Sequence, residues 1–187
     1  MPLPGDPVLQ VRITLLDVTG PPVWRRVLVP AAFTLDRIHL VIQAAMGWQN
    51  YHMHAFRAGE LSYGPDPEGV LGHLEEAKVP LADVVGVSGR IGYEYDFGDG
   101  WEHELLVEAR TEAEASQTYP ACTAGEGACP PEDSGGFPGY QELKEILADP
   151  SSKEYEEMRI WAESQIGGEF DPASFDLTEA NARVSTA

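Results

Sequence analysis

Cys122, Cys129, His52, His54 and His103 carry donor atoms of the kind zinc prefers. Thiolates and imidazoles are the usual ligands of a structural zinc site, and carboxylates can complete one. Asp133 and the acids around residue 100 are available as supplements. The two cysteines form a Cys-x6-Cys pair, wider than the common zinc spacings. They sit in a Gly/Pro-rich run, CTAGEGACPPEDSGGFPG at 122–139, with little local structure to hold it. A metal could pin such a segment, so zinc is the one cofactor the sequence suggests. A plainer reading stands beside it. His52 and His54 alternate and would share the exposed side of a strand, His103 would pack against a tyrosine, and the thiols would be buried.

A second chemistry is acid–base. Asp96, Asp99, Glu102 and His103 lie close in sequence, and a carboxylate–histidine pair can act as a general base or hold a hydrolytic metal. Yet Asp99 suits a turn, and the chain has no G-x-S-x-G, P-loop or H-E-x-x-H signature.

These acids belong to Arg90–Arg110, RIGYEYDFGDGWEHELLVEAR, which reads as two strands around Gly98-Asp99-Gly100. A two-residue Asp99-Gly100 turn would mix aromatics and acids on both faces. A three-residue loop with Gly100 left-handed pairs Phe97 with Trp101 and Tyr95 with His103, gathering the aromatics on one face. That register is expected. It sets Asp96 opposite Glu102 and Glu94 opposite Glu104. With Asp99 they make an acidic candidate face: Glu94, Asp96, Asp99, Glu102 and Glu104. Opposed like charges destabilise a strand pair, so the face calls for water, a cation or a basic partner.

The remaining elements must position this hairpin. VLQVRITLL at 8–16 and VWRRVLV at 23–29 read as strands joined by a Gly/Pro turn. Thr34 should cap a helix over 35–46 that Gly47 stops. Residues 48–58 have strand character, 59–72 read as loop and 80–85 as a short amphipathic piece. Residues 111–121 read as a connector, and 122–139 as the Gly/Pro-rich loop. Helices should follow from Pro138, from Ser151 or Ser152, and over 177–184. The order predicts one α+β domain, an antiparallel sheet built from hairpins with helices on one side or end.

Charge narrows the function classes. The chain has 187 residues and a formal net charge of −19. Residues 1–57 hold five arginines and three aspartates, a net of +2, so the remainder carries −21. Such a balance opposes nonspecific nucleic-acid binding and docking on anionic membranes. It favours basic protein or peptide partners, or cations. Arg12, Arg25, Arg26 and Arg37 form at most a small basic patch. No apolar run approaches the ~20 residues of a membrane span, and MPLPGDPVLQ lacks signal-peptide features. A cytoplasmic location is expected. The sequence does not set the oligomeric state.

Three stretches together resemble the plasmid pRiA4b ORF-three-like family: YEYDFGDGWEHELLVE at 93–108, HLVIQAAMGWQNYHMHAFRAG at 39–59 and ACPPEDSGGFPGYQELKEILADP at 128–150. FDPASFDLTEAN at 170–181 adds to it, so the resemblance spans about 8–181. It implies a compact α+β protein of prokaryotes, sometimes carried on plasmids or as a passenger of insertion elements, with no settled activity. Relatives often carry a further Cys where this chain has Ser134. The reading that requires the fewest missing motifs is a non-catalytic acidic binding module with a metal-stabilised Cys loop. A metal-dependent hydrolase using the hairpin is the alternative, and a mobile-element accessory protein acting in DNA transactions is a third.

Overall fold

The structure, a computed structural model, describes residues 2–187. Seven strands form one antiparallel sheet: β1 (Pro7–Leu15), β2 (Trp24–Pro30), β3 (His54–Ala58), β4 (Leu61–Tyr63), β5 (Arg90–Tyr95), β6 (Trp101–Glu112) and β7 (Ala121–Glu126). Their order is β4-β3-β5-β6-β1-β2-β7. The helices are α1 (Leu35–Met46), α2 (Leu81–Val84), α3 (Gly136–Ala148), α4 (Tyr155–Ile166) and α5 (Leu177–Val184). This is the α+β arrangement expected. Among the described residues no helix is long and apolar enough to cross a membrane.

Strict alternation makes the sheet two-faced. Phe56, Tyr93, Tyr95, Trp101, Leu105, Val11, Ile13 and Val27 are buried and meet Leu35, Ile38, Ile42, Tyr140, Leu143 and Val184 from the helices in one core. The opposite face is ionic. Arg57 reaches across to Glu94 and, at 2.7 Å, to Glu102; Arg90 meets Glu104 at 2.5 Å; Arg26 forks onto Glu108.

That pattern thins the acidic face. Arg57, shared by Glu94 and Glu102, and Arg90, on Glu104, offset two of these three charges. The small basic patch is reduced as well, although Arg12, over the Trp24 ring, and Arg37 form no ion pair among the described residues. Arg26 is paired, Arg25 is buried, and Arg37 lies over the Phe33 ring and bonds the Ala187 carbonyl at 2.9 Å.

The hairpin register differs from the expected one by two residues. Tyr95 pairs with Trp101, Tyr93 with His103 and Glu94 with Glu102. The aromatics still share the inner face, because a shift of two preserves parity. The loop is longer because Asp96 leaves the strand. Its backbone is left-handed at φ 55°, its side chain accepts from the Gly98 and Asp99 amides, and its carbonyl accepts from Gly100. Phe97 is thereby thrown out of the strand and exposed.

Elsewhere, α1 and α5 keep their expected bounds. Gly47 is left-handed at φ 87°, and the Asp176 carboxylate accepts the Glu179 amide at 2.9 Å. Thr34 stands at the α1 N-cap position, but its hydroxyl bonds the Asp36 carboxylate instead of a backbone amide. The strand expected over 48–58 starts only at His54. Part of the 122–139 run is β7, an edge strand whose weak side-chain pattern hid it from sequence.

Arg25 stands on the inner face opposite Ile13 and is 3% exposed. Its guanidinium donates to the carbonyls of Ala45, Trp24, Glu126 and Gly127 at 2.8–3.0 Å and lies 4.4 Å over the Phe175 ring. It thus ties the C-terminal turn of α1 to the end of β7. Lysine lacks the fork, so Arg25→Lys should cost on the order of 2–3 kcal/mol in urea unfolding. Trp101→Ala should cost about 3–5 kcal/mol, since a buried indole leaves a cavity.

Candidate metal centre

Three loops meet beyond the end of the central hairpin. Residues 47–53 follow α1, residues 96–100 join β5 to β6, and residues 127–135 lead from β7 to α3. His52 Nε2 lies 3.2 Å from Asp133 Oδ1, 3.6 Å from Asp96 Oδ2 and 3.7 Å from Glu132 Oε2. Donor atoms of His52, Asp96 and Asp133 all fall within 4.8 Å of one another. Two donors about 2.1 Å from a shared ion stand roughly 3–4 Å apart, and the His52–Asp133 and His52–Asp96 distances fall in that range. His52 Nε2 is shielded from solvent and has no hydrogen-bond partner of good geometry.

Charge points the same way. Asp96 and Glu132 are buried, and Asp133 is exposed. Among the described residues no lysine or arginine pairs with any of the three. Buried carboxylates without a cation are costly. One imidazole with several carboxylates is a donor set for zinc, manganese or ferrous iron.

The local backbone is built for convergence. Asn50, Asp96 and Asp133 are left-handed, with φ of 59°, 55° and 56°. Asn and Asp are the non-glycine residues that best tolerate that region. Asp99 Oδ2 accepts the Gly135 amide at 3.1 Å. The next residue, Gly136, lies so close that a Cβ there would stand 2.4 Å from the Asp99 carbonyl oxygen. The hairpin turn and the third loop are therefore clasped together.

Beneath the cluster lies a buried polar layer. Glu132 accepts the Gln49 amide at 2.7 Å and the Tyr95 hydroxyl at 3.2 Å. The Tyr95 hydroxyl in turn accepts the Tyr51 amide. Burial, and then the Glu132 charge, push the Tyr95 phenol up, so it remains a donor. His39 joins the Tyr93 hydroxyl at 2.8 Å and Asn50 Oδ1 at 2.7 Å, and its ring stacks on His54 at 3.5 Å.

The structure therefore separates the expected zinc ligands. His52 belongs to a loop and reaches the carboxylates. His54 begins β3, points inward and bonds Glu76 at 2.9 Å. His103 is 1% exposed, with Nδ1 against the Trp101 carbonyl at 2.9 Å and Nε2 unpartnered in the core. Cys122 and Cys129 are free, buried thiols, and burial pushes both up despite the nearby Arg25. Of the acidic candidates only Asp96 enters the cluster; Asp99 serves the clasp. Asp133, a supplement in the sequence reading, lies in the cluster. Glu132 was missed, and its only sequence signal was the adjacent Asp133 in a Gly/Pro-rich run.

The family described as plasmid pRiA4b ORF-3-like protein matches residues 7–179. The uncharacterized protein y4hQ of Sinorhizobium fredii (strain NBRC 101917 / NGR234) is 40% identical over 180 residues, 95% of this chain and 90% of that protein. The crystal structure of a protein of unknown function, MM3350 from Methanosarcina mazei Go1, is similar with a TM-score of 0.83 and 33% identity. That likeness covers 92% of this chain and 97% of the other.

The histidines beneath the site should make stability fall in mild acid. Burial holds His103 at about 4, and burial followed by the neighbouring His54 holds His39 at about 4. Unfolded histidine titrates near ~6.5, so between about pH 6.5 and 4 the unfolded chain binds more protons. Their contribution is complete above ~6.5 and is lost as pH falls toward ~4, up to on the order of 3 kcal/mol each. Urea unfolding of wild type from pH 7 to 4.5 should show this loss, and His103→Phe should show a shallower one.

Proposed function

The chain belongs to the plasmid pRiA4b ORF-3-like family, and from that premise we propose that it is a divalent-metal-binding module. One ion, held by His52, Asp96 and Asp133, ties its three loops together. The observation that carries this reading is His52 Nε2: solvent-shielded, unpartnered and facing three carboxylates that no arginine or lysine neutralises. Zinc remains the first expectation, with manganese and ferrous iron fitting the same donors. The ligands from the Gly/Pro-rich run are carboxylates in this reading, and the cysteines take no part. A cytoplasmic location belongs to the same proposal.

A second reading is favoured by exposure on one side. The Asp133 side chain is 67% exposed and that of His52 28%. An ion there would keep outward positions for water, and a metal-bound water can be a nucleophile at neutral pH. Hydrolysis of a phosphate or acyl ester is the corresponding activity. His52, Asp96 and Asp133 would hold the ion, and Glu132 would fix the loop behind them.

Elemental mass spectrometry of tag-free protein should find about one ion per chain. Chelation should lower the melting temperature. Saturating zinc or manganese at about 100 times Kd should restore about 2.7 kcal/mol. Calorimetric titration should show Asp96→Asn and Asp133→Asn each weakening the ion at least about 10-fold. Glu94→Gln, on the ionic face of the sheet, should leave affinity unchanged. Metal that survives both aspartate changes but is lost in Cys122→Ser would move the site to the thiols and end this reading.

A further inference from the structure

We propose that the groove between α3 and α4 is a recognition pocket for a lysine or arginine side chain of a partner polypeptide. A cavity of about 360 Å³ opens there, at the small end of ligand pockets. Its floor is apolar: Leu143 and Ile146 from α3, Met158 and Trp161 from α4. Its rim is acidic: Glu142, Glu154 and, from the adjoining loop, Asp133. No lysine or arginine lines it. Glu142 and Glu154 form no ion pair among the described residues. Ser134, also in the lining, has a shielded hydroxyl oxygen without a hydrogen-bond partner.

This arrangement matches one kind of side chain. Lysine and arginine carry a long apolar stem and a charged head. The stem covers Leu143, Ile146 and Met158, and the head meets the rim carboxylates and the Trp161 ring face, where a cation is attracted to the indole. A neutral apolar side chain would leave the carboxylates uncompensated. An acidic one would be repelled.

The occupant is part of a polypeptide because of the wider field. Residues 58–187 carry a net −21, and such a field steers a segment bearing several positive charges far more strongly than a single amine. Asp133 belongs both to this rim and to the His52 cluster. The pocket itself does not require the ion, since Glu142 and Glu154 lie outside the cluster.

The test is a titration of nitrogen-15-labelled protein, following the Trp161 indole signal. The probes are a capped Ala-Lys-Arg-Ala peptide, its norleucine counterpart and spermidine. The basic peptide should shift the signal saturably. Affinity should fall at least 10-fold in Glu142→Gln/Glu154→Gln, one exposed on α3 and the other exposed at the N-cap of α4, with melting unchanged. The norleucine peptide should give no shift, and spermidine should bind at least 10-fold more weakly than the basic peptide. No saturable shift, wild-type affinity in the double variant, or equal binding of the norleucine peptide would overturn the pocket. Spermidine binding as tightly as the basic peptide would overturn the polypeptide occupant. Asp96→Asn protein should bind the basic peptide as wild type does, which separates failure here from failure of the metal reading.

Discussion

Two phenolic hydroxyls buried on the inner face of β5 set the terms for this fold. Leaving one unpaired would cost about 1–3 kcal/mol. Tyr93 and Tyr95 are both 0% exposed, and their hydroxyls are satisfied by different parts of the chain. Tyr93 is met by His39 and Gln43 of α1. Tyr95 donates to Glu132 and accepts from the Tyr51 amide. Gln43 also accepts the Asn50 amide, and Glu132 the Gln49 amide. One strand thus fixes where the helix, the loop after it and the Gly/Pro-rich loop can lie. His52 and Asp133 are brought together as a result, since each is the next residue but one, or the next, to a group in this network.

Charge is partitioned in a way that composition cannot reveal. The acids of the hairpin's outer face, read in sequence as free, lie beside Arg57 and Arg90, which approach from β3 and from β5 itself. Exposed pairs of this kind are worth about 0–1 kcal/mol each, so their main effect is to remove repulsion between opposed glutamates. Acids that no arginine or lysine reaches include those of the His52 cluster and Glu142 and Glu154 at the groove between α3 and α4, whereas Glu156 and Glu163 of α4 pair with Arg159. A net charge of −19 therefore says little about where a cation would bind. The answer lies in which acids the few arginines reach.

Much of the architecture was legible because local rules and tertiary packing agree. Period-two alternation marked β1, β5 and β6, a β-branched run between a Gly/Pro turn and Pro30 marked β2, and the 3.6-residue pattern with Gly47 behind it marked α1. The hairpin misled by two residues because Asp96 looks like a strand residue between Tyr95 and Phe97. Only its left-handed backbone and its bonds to the turn amides show otherwise. The histidines misled for a related reason. His52 and His54 have strand spacing, but the strand begins between them, so one faces the carboxylates and the other the core. Neither boundary leaves a trace in hydrophobic pattern. β7 escaped because an edge strand rich in small residues is held by backbone bonds to β2 more than by its side chains.

Asp133 is where the two proposed sites meet, and its position limits how they can act together. Its side chain is the most exposed of the carboxylates around His52, and it also rims the groove between α3 and α4. An ion that takes this carboxylate removes one negative charge from the groove and fixes the loop that carries Ser134. The first effect weakens attraction for a basic side chain. The second pre-orders the rim and lowers the entropy cost of binding. A single exposed charge is worth about 1 kcal/mol or less. Ordering one loop residue is worth about 1–2 kcal/mol. The two terms are of similar size and opposite sign, so coupling between ion and partner is small unless the ion orders several residues of the 127–135 loop. The Asp99–Gly135 clasp already holds that loop at its far end. The remaining effect of such an ion would therefore be local to Asp133, and the two proposed sites would act nearly independently.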